Sequence, residues 1–367
     1  EAMAMGERTP LALIDGPASG RMAVAEAITN LAAADIVSLD RVKLSANWMA
    51  PAGHPGEDAV LVDTVRAVSE FCIALGVSIP VGKDSMSMRT AWREGDAQKA
   101  VTAPVSLIVT AFAPVGDARR TATPLLADEP GSVLVWMQAT PGRRRLGASA
   151  LAQVYGQLGD EGPDVAPRAL AALVGIVRGL CERGALLAYH DVADGGLFAT
   201  LAEMAFASRA GLDVRLDEVT GDPLAVLFAE EVGAVVQVSA SDAARTVSEA
   251  RTAGLEAHAI AAVAAHDRIR VLRHGTALLD EARDDLHREW SALTHAMQRM
   301  RDEPVAADQE HARIGDPADR GLTPVLTFDP AEDVAAPFVA TGARPRVAVL
   351  REQGVNGQVE MAAAFDR

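Results

Sequence analysis

Two rhythms of apolar and polar positions run along this chain. RMAVAEAITNLAAA at 21–34 is rich in strong helix formers and follows the break Asp15-Gly16-Pro17, which predicts a helix. AVLVDTVRAVSEFCIALG at 59–76 predicts a second helix stopped by Gly76, and 77–81 a strand behind it. VSLIVTAFAPV at 105–115 is a continuous apolar run of strand length bounded by prolines, the mark of a buried strand. Charges and prolines then interrupt the rhythm over 116–130, where a domain boundary is expected. Beyond it the types alternate. Strands are expected at 132–138, 185–189, 212–215 and 233–239, and helices at 147–157, 166–183, 197–209 and 240–254, an α/β layer arrangement. Residues 280–304 read as a charged helix and 305–343 as a linker or wrapping segment, with no internal repeat.

The composition keeps that picture and narrows it. With 367 residues, 49% hydrophobic and 23% charged, the chain can bury more than one core without staples. A net charge of −16 argues against a duplex nucleic-acid binder, so any phosphate must be held locally by metal, glycine-rich backbone or helix N-termini. Cys72 and Cys181 have no Cys-x-x-Cys partner and suggest neither a disulfide framework nor a zinc site. No apolar run is long enough to span a membrane and the start has no signal-like pattern, which reads as a soluble, cytoplasmic protein without a membrane partner. The missing initiator methionine, and a final 24 residues that open a new unit without finishing it, suggest a segment of a longer chain.

Four stretches carry candidate chemistry, each with an ordinary alternative. Gly82-Lys83-Asp84-Ser85 sets a cation, a carboxylate and a hydroxyl behind a flexible glycine, suited to phosphate and metal, or to a solvated turn. HDVADGGL at 190–197 would place Asp191 and Asp194 at a strand end and open a helix at Gly195-Gly196 with bare N–H groups; alternatively Asp194 is an N-cap. Glu26 and Asn30, four apart on a helix, could give two oxygens to one Mg²⁺ or simply be solvated. LSANWMAPAGHPGED at 44–58 reads as a functional loop, and its His54 has no nucleophile partner.

KLSANWMAPAGHPGEDA, IPVGKDSMSM, HDVADGGLFATLAEMAFA and RPRVAVLREQGVNGQVEMAAAF occur together and in this order. In combination they resemble the large, single-chain form of the phosphoribosylformylglycinamidine synthase family, the formylglycinamide ribonucleotide amidotransferases of purine biosynthesis. The resemblance implies an α/β (α+β) chain: an aminoimidazole ribonucleotide synthetase-like N-terminal sheet or barrel half at 1–118, an α/β layered C-type domain at 119–279, a helical and linker segment at 280–343, and the first strand and turn of a glutaminase at 344–367. It implies an ATP-dependent carbon–nitrogen ligase acting on formylglycinamide ribonucleotide with ammonia from glutamine. The partner would be the first synthetase half of the same parent chain.

On residues, the resemblance makes Glu26, Asn30 and Asp191 ligands of Mg²⁺ at an auxiliary nucleotide site holding ATP or ADP. Ala193 stands where relatives carry a serine. Lys83 would neutralise phosphate charge and Ser85 hydrogen-bond the substrate, with Gly82 and Asp84 beside the nucleotide. Val347–Leu350 would be a strand and 351–356 a glutaminase turn, with the glutaminase nucleophile further on; Cys72 and Cys181 are not candidates for it. This segment alone is then expected to be inactive. Two other readings stay open: a catalytically silent structural nucleotide module, and a separate kinase-like member of the same fold superfamily.

Overall fold

The computed structural model describes residues 1–319, 321–342 and 344–366. They fall into two compact units, Glu1–Gly315 and the segment from Asp316 onward. The first begins with strands β1 (Ala2–Glu7), β2 (Lys43–Met49), β3 (Ser78–Ser85), β4 (Arg89–Glu94), β5 (Ala97–Thr102) and β6 (Ser106–Ala113), and helices α1 (Gly16–Leu31) and α2 (Glu57–Leu75). Four strands make a sheet in the order β1-β6-β2-β3, antiparallel except for the parallel β2–β3 edge, while β4 and β5 pair off as a separate exposed hairpin.

The closeness of α1 to this sheet comes from small residues. A Cβ on Gly6 of β1 would lie 2.3 Å from both the Ala23 carbonyl oxygen and the Ala27 nitrogen, so only glycine admits the helix. On its other side α1 meets α2 at Gly20, where a Cβ would stand 2.6 Å from Val68 Cγ2. Ala23, Val24, Ala25, Ala27 and Ile28 are fully buried between these surfaces. The apolar run at 105–115 is the buried strand β6, and α2 ends at Gly76 in a left-handed C-cap with φ 74°.

The second sheet takes strands β7 (Val133–Gln138), β8 (Ala188–Val192), β9 (Gly211–Arg215), β10 (Gly233–Val238), β11 (Glu256–Ala264), β12 (Arg268–Arg273) and β13 (Thr276–Ala282). Their order is β13-β12-β9-β11-β7-β10-β8, and only β9–β12 is parallel. Around it run α3 (Ala150–Val154), α4 (Pro167–Glu182), α5 (Gly196–Ser208), α6 (Pro223–Phe228), α7 (Ala240–Thr252), α8 (Arg283–Arg301) and α9 (Pro304–Ala312). The chain crosses from the first sheet to the second through 114–132, yet one core runs through both: Ile28 and Val109 belong to the same buried cluster as Met137, Leu173 and Tyr189. In the later unit, short helices form at α10 (Ala336–Thr341) and α11 (Gln358–Asp366). Among the described residues no helix is long and apolar enough to cross a membrane.

Five expectations change, among them the strand expected at 185–189, which begins three residues later as β8 and runs on through Asp191. Residues 44–49, read as part of a loop, lie in the internal strand β2; the Pro and Gly cluster that suggested a loop begins only at Pro51. The strand expected at 77–81 runs on to Ser85, because β3 keeps its parallel pairing with β2 as far as Met49↔Ser85. The helix expected at 147–157 shrinks to α3, since Ala148 (φ 61°) and Gly156 (φ 63°) take left-handed conformations on either side. Val347–Leu350 forms no strand, and among the described residues nothing pairs with it.

Candidate functional site

The site grows from the contact between α1 and the end of β8. β8 is an edge strand paired with β10, which sets Asp191 opposite Ala234 and leaves the aspartate 4% exposed. The Thr29 hydroxyl of α1 is shared between Asp191 Oδ2 and the Glu26 carbonyl, each at 3.1 Å, and Tyr189, two residues earlier on β8, donates its own hydroxyl to the Thr29 carbonyl at 2.7 Å. Thr29 lies between Glu26 and Asn30 in sequence, so this one contact brings the carboxylate of β8 to the stretch of α1 that carries the other two candidate ligands.

Glu26 sits over the end of β1, where its Oε2 accepts the Glu7 amide at 2.7 Å. Burial pushes its carboxyl up to about 7; Arg8 and the Glu7 amide pull it down, while Asp194 and Asp191 add to the rise. Asn30 donates Nδ2 to the Met5 carbonyl at 3.1 Å. Arg8, 6% exposed, is the neighbouring cation, and it is committed: Nη1 donates to Asp194 Oδ1 at 2.6 Å and Nη2 to Glu230 Oε2 at 2.8 Å.

Glu230 also takes the helix entrance. Its Oε1 accepts the amides of Gly195 at 2.9 Å and Ala150 at 2.8 Å, and the Gly196 amide goes to the Ala193 carbonyl at 3.0 Å. The bare N–H groups expected at Gly195-Gly196 are therefore already satisfied, by a carboxylate from the β10 approach and by the turn itself. Asp194 is no N-cap, since Gly195 holds that position with φ 82°. Gly196 cannot be replaced freely: a Cβ there would meet Leu227 O at 2.8 Å.

Behind Asp191 stands a second set of partners. His190 Nδ1 lies 3.4 Å from Asp191 Oδ1 and His190 Nε2 2.9 Å from Glu203 Oε2 on α5. Burial opposes charge on this ring, yet the hydrogen bonds of Asp191 and Glu203 outweigh it and raise its pKa to about 9.

No set of three or more His, Cys, Asp or Glu among the described residues is arranged to hold a metal on its own. The donors present do fit a hard cation of low protein coordination. Half-buried Glu26 and buried Asp191 are oxygen donors in an excess of carboxylate, and the Asn30 amide, held through its nitrogen, keeps its oxygen.

Lys83, Ser85, Gly82 and Asp84 lie elsewhere, on the edge strand β3. Register pairs Asn47 with Lys83 and Met49 with Ser85, so Lys83 and Ser85 share the sheet face that carries Met3, Met5 and Phe112, and Gly82 and Asp84 project to the other. The four residues thus do not converge. Lys83 Nζ donates to Ser85 Oγ along the strand. Gly82 is a close approach, its would-be Cβ only 2.3 Å from the Ala46 carbonyl oxygen. Met3 (69% exposed) and Met5 (59%) leave open apolar surface on this otherwise mixed face. His54 lies in the turn after β2, with no side-chain partner pointing to catalysis. Cys72 and Cys181 are buried free thiols, that of Cys72 pushed up to about 11 by burial.

Sequence reasoning missed Thr29, Arg8 and Glu230. The doubled acid Glu230-Glu231 ahead of an apolar strand was a usable signal, because adjacent carboxylates entering a core need partners; Glu231 finds Arg145 at 2.7 Å. Thr29 and Arg8 gave none, as their partners lie 162 and 222 positions away.

Comparison with known proteins gives the fold its relatives. Residues 1–114 match the FGAR-AT PurM N-like domain, and residues 129–274 match the C-terminal domain of AIR synthase related proteins. PurL of Thermotoga maritima in complex with FGAR superposes with a TM-score of 0.63 at 17% identity, over 78% of this chain and 45% of that one. The same protein complexed with ATP gives 0.57 at 17% identity, over 77% and 43%. Escherichia coli HypE gives 0.55 at 17% identity, over 76% and 84%. The chain thus spans less than half the length of these two PurL structures. Its first unit is built of two domains that match, in order, an FGAR-AT PurM N-like domain and an AIR synthase related C-terminal domain.

Proposed function

We propose that this chain is the second synthetase half of a formylglycinamide ribonucleotide amidotransferase, which uses ATP to replace an amide oxygen by ammonia derived from glutamine. The observation that carries the reading is the junction of Glu26, Thr29 and Asn30 on α1 with Asp191 on β8, which joins a domain matching an FGAR-AT model to one matching the AIR synthase related C-terminal model. The solved PurL relatives were captured with FGAR, ATP and ADP, which supports a nucleotide at this fold. HypE shares the fold, but the match of residues 1–114 to the FGAR-AT model favours the amidotransferase over a kinase-like reading.

In this reading Glu26, Asn30 and Asp191 hold Mg²⁺ at an auxiliary nucleotide. The ion supplies charge neutralisation for the nucleotide's phosphates. Arg8 bonds Asp194 and Glu230 and neither Glu26 nor Asp191, so the oxygens of those two carboxyls are left to a cation. The open sheet face with Met3, Met5 and Phe112 covers the other synthetase half, and Lys83 and Ser85 reach the reacting substrate from its rim. Ala193 contributes backbone only, its carbonyl already closing the turn to Gly196. Glutamine hydrolysis and cytoplasmic location belong to the same reading.

The test is retained nucleotide. Wild-type protein is purified, denatured and its released ADP and ATP counted, beside Glu26→Ala and Asp191→Asn. Near-stoichiometric nucleotide in the wild type and loss in both variants supports the site; equal content in all three sinks it.

A further inference from the structure

We propose that His190, Glu203 and Trp290 are positioning residues for Asp191, a three-member chain that fixes the carboxylate's orientation toward a bound divalent cation. The inference rests on the reading of Asp191 as a metal ligand and goes beyond it, because nothing in that reading assigns these three residues. Each link is on the structure. The Asp191 carbonyl lies 3.1 Å from the Thr200 hydroxyl, which it shares with the Gly196 carbonyl, and Oδ2 lies 3.1 Å from the Thr29 hydroxyl. Rotation of the carboxylate about these points is limited by Oδ1, which faces His190 Nδ1 at 3.4 Å.

The imidazole would be free to turn if it met nothing else. It meets Glu203 at 2.9 Å, and the other oxygen of Glu203 accepts Trp290 Nε1–H at 3.0 Å from α8. Trp290 is 60% exposed, and its ring packs near Phe206 and His287 with its N–H committed inward to Glu203. A carboxylate held by a histidine, itself held by an anchored carboxylate, is how proteins orient metal ligands, and loss of such an outer partner costs about 10–100-fold in metal affinity. A solvated ion pair between His190 and Glu203 would leave metal affinity untouched.

The experiment measures ADP bound by the protein in equilibrium dialysis as Mg²⁺ is titrated, with urea unfolding of the same preparations. Glu203→Gln and Trp290→Phe are compared with Asp191→Asn. The expected result is a rise of about tenfold or more in half-saturating Mg²⁺ for Glu203→Gln and a smaller rise in the same direction for Trp290→Phe. ADP binding recovers in both at high Mg²⁺, and Mg²⁺ dependence is lost in Asp191→Asn. If Asp191→Asn loses the dependence while Glu203→Gln and Trp290→Phe stay within about twofold of wild type, whatever their unfolding midpoints, the positioning role is overturned and the metal site stands. If Asp191→Asn binds ADP with unchanged Mg²⁺ dependence, the metal site falls, and the positioning role with it.

Discussion

Thr29 and Asp191 join the two sheets of the first unit: a hydroxyl on α1 reaches 3.1 Å to a carboxylate oxygen on β8 across 162 positions of sequence. Both residues are buried, at 3% and 4% exposure, so the bond has no water to replace it. Thr29→Val keeps the shape and removes the donor, leaving a buried carboxylate oxygen short of a partner. A loss of about 1–3 kcal/mol in urea unfolding is expected, with Thr29→Ser close to wild type. Equal stability of Thr29→Val and wild type would show that the contact contributes nothing.

Gly6 tests the packing that brings α1 to that position. Its added Cβ would meet helix backbone at 2.3 Å, and backbone cannot swing aside as a side chain can. Gly6→Ala should therefore cost about 1–3 kcal/mol by displacing α1. Gly175, on α4 with nothing within 4 Å of its Cβ position, is the control, and Gly175→Ala should be neutral or slightly stabilising. Thermal unfolding of the two variants decides between a packing effect and a general intolerance of alanine.

How much of this was legible follows from where the information lies. α1, α2 and β6 are written in local periodicity and end signals, so the residues of each element specify it. β2 is different. Lys43, Ser45 and Asn47 are polar because one face of the first sheet is open, and the Pro and Gly that follow made the whole stretch look like a loop. Glu26, Asn30 and Asp191 stood out as residue types, and the link between α1 and β8 through Thr29 is a tertiary fact that spacing cannot carry. The same holds for Arg8, which reads as an ordinary turn arginine until its two carboxylate partners, buried Glu230 and exposed Asp194, are seen.

A pH dependence follows from Glu256. Burial would raise its pKa, but His258, the Arg144 guanidinium and the Gly142 amide together hold it down to about 2, from 4.5 for a free glutamate. A depressed carboxyl adds stability above its unfolded pKa and loses it as pH falls through the folded one, so the contribution is full above about 5 and gone near 2. Its size is on the order of 3 kcal/mol. Chemical unfolding of Glu256→Gln and wild type between pH 3 and 7 should show a gap that is constant from neutral pH to about 5 and narrows below it. A gap independent of pH would mean that geometry, and not charge, accounts for the loss.

Lys83 separates the two halves of the functional proposal. It sits on β3, bonded along the strand to Ser85, and no hydrogen bond or ion pair ties it to Glu26, Asn30 or Asp191. If it neutralises charge on a transferred phosphoryl group, Lys83→Met in the complete amidotransferase should slow product formation on the order of a hundredfold, and equally with ammonia or glutamine as nitrogen donor, because activation of the amide precedes the use of either. Nucleotide retained through Asp191 should be unchanged, since the two positions share no contact. Asp191→Asn should give the reverse: nucleotide lost and stability lowered, by about 2.7 kcal/mol if the retained ligand was present at a hundred times its dissociation constant. Should Lys83→Met turn over normally with both nitrogen donors, Lys83 is a surface residue of an edge strand, and Lys83 and Ser85 leave the active site while the contact between α1 and β8 keeps its role.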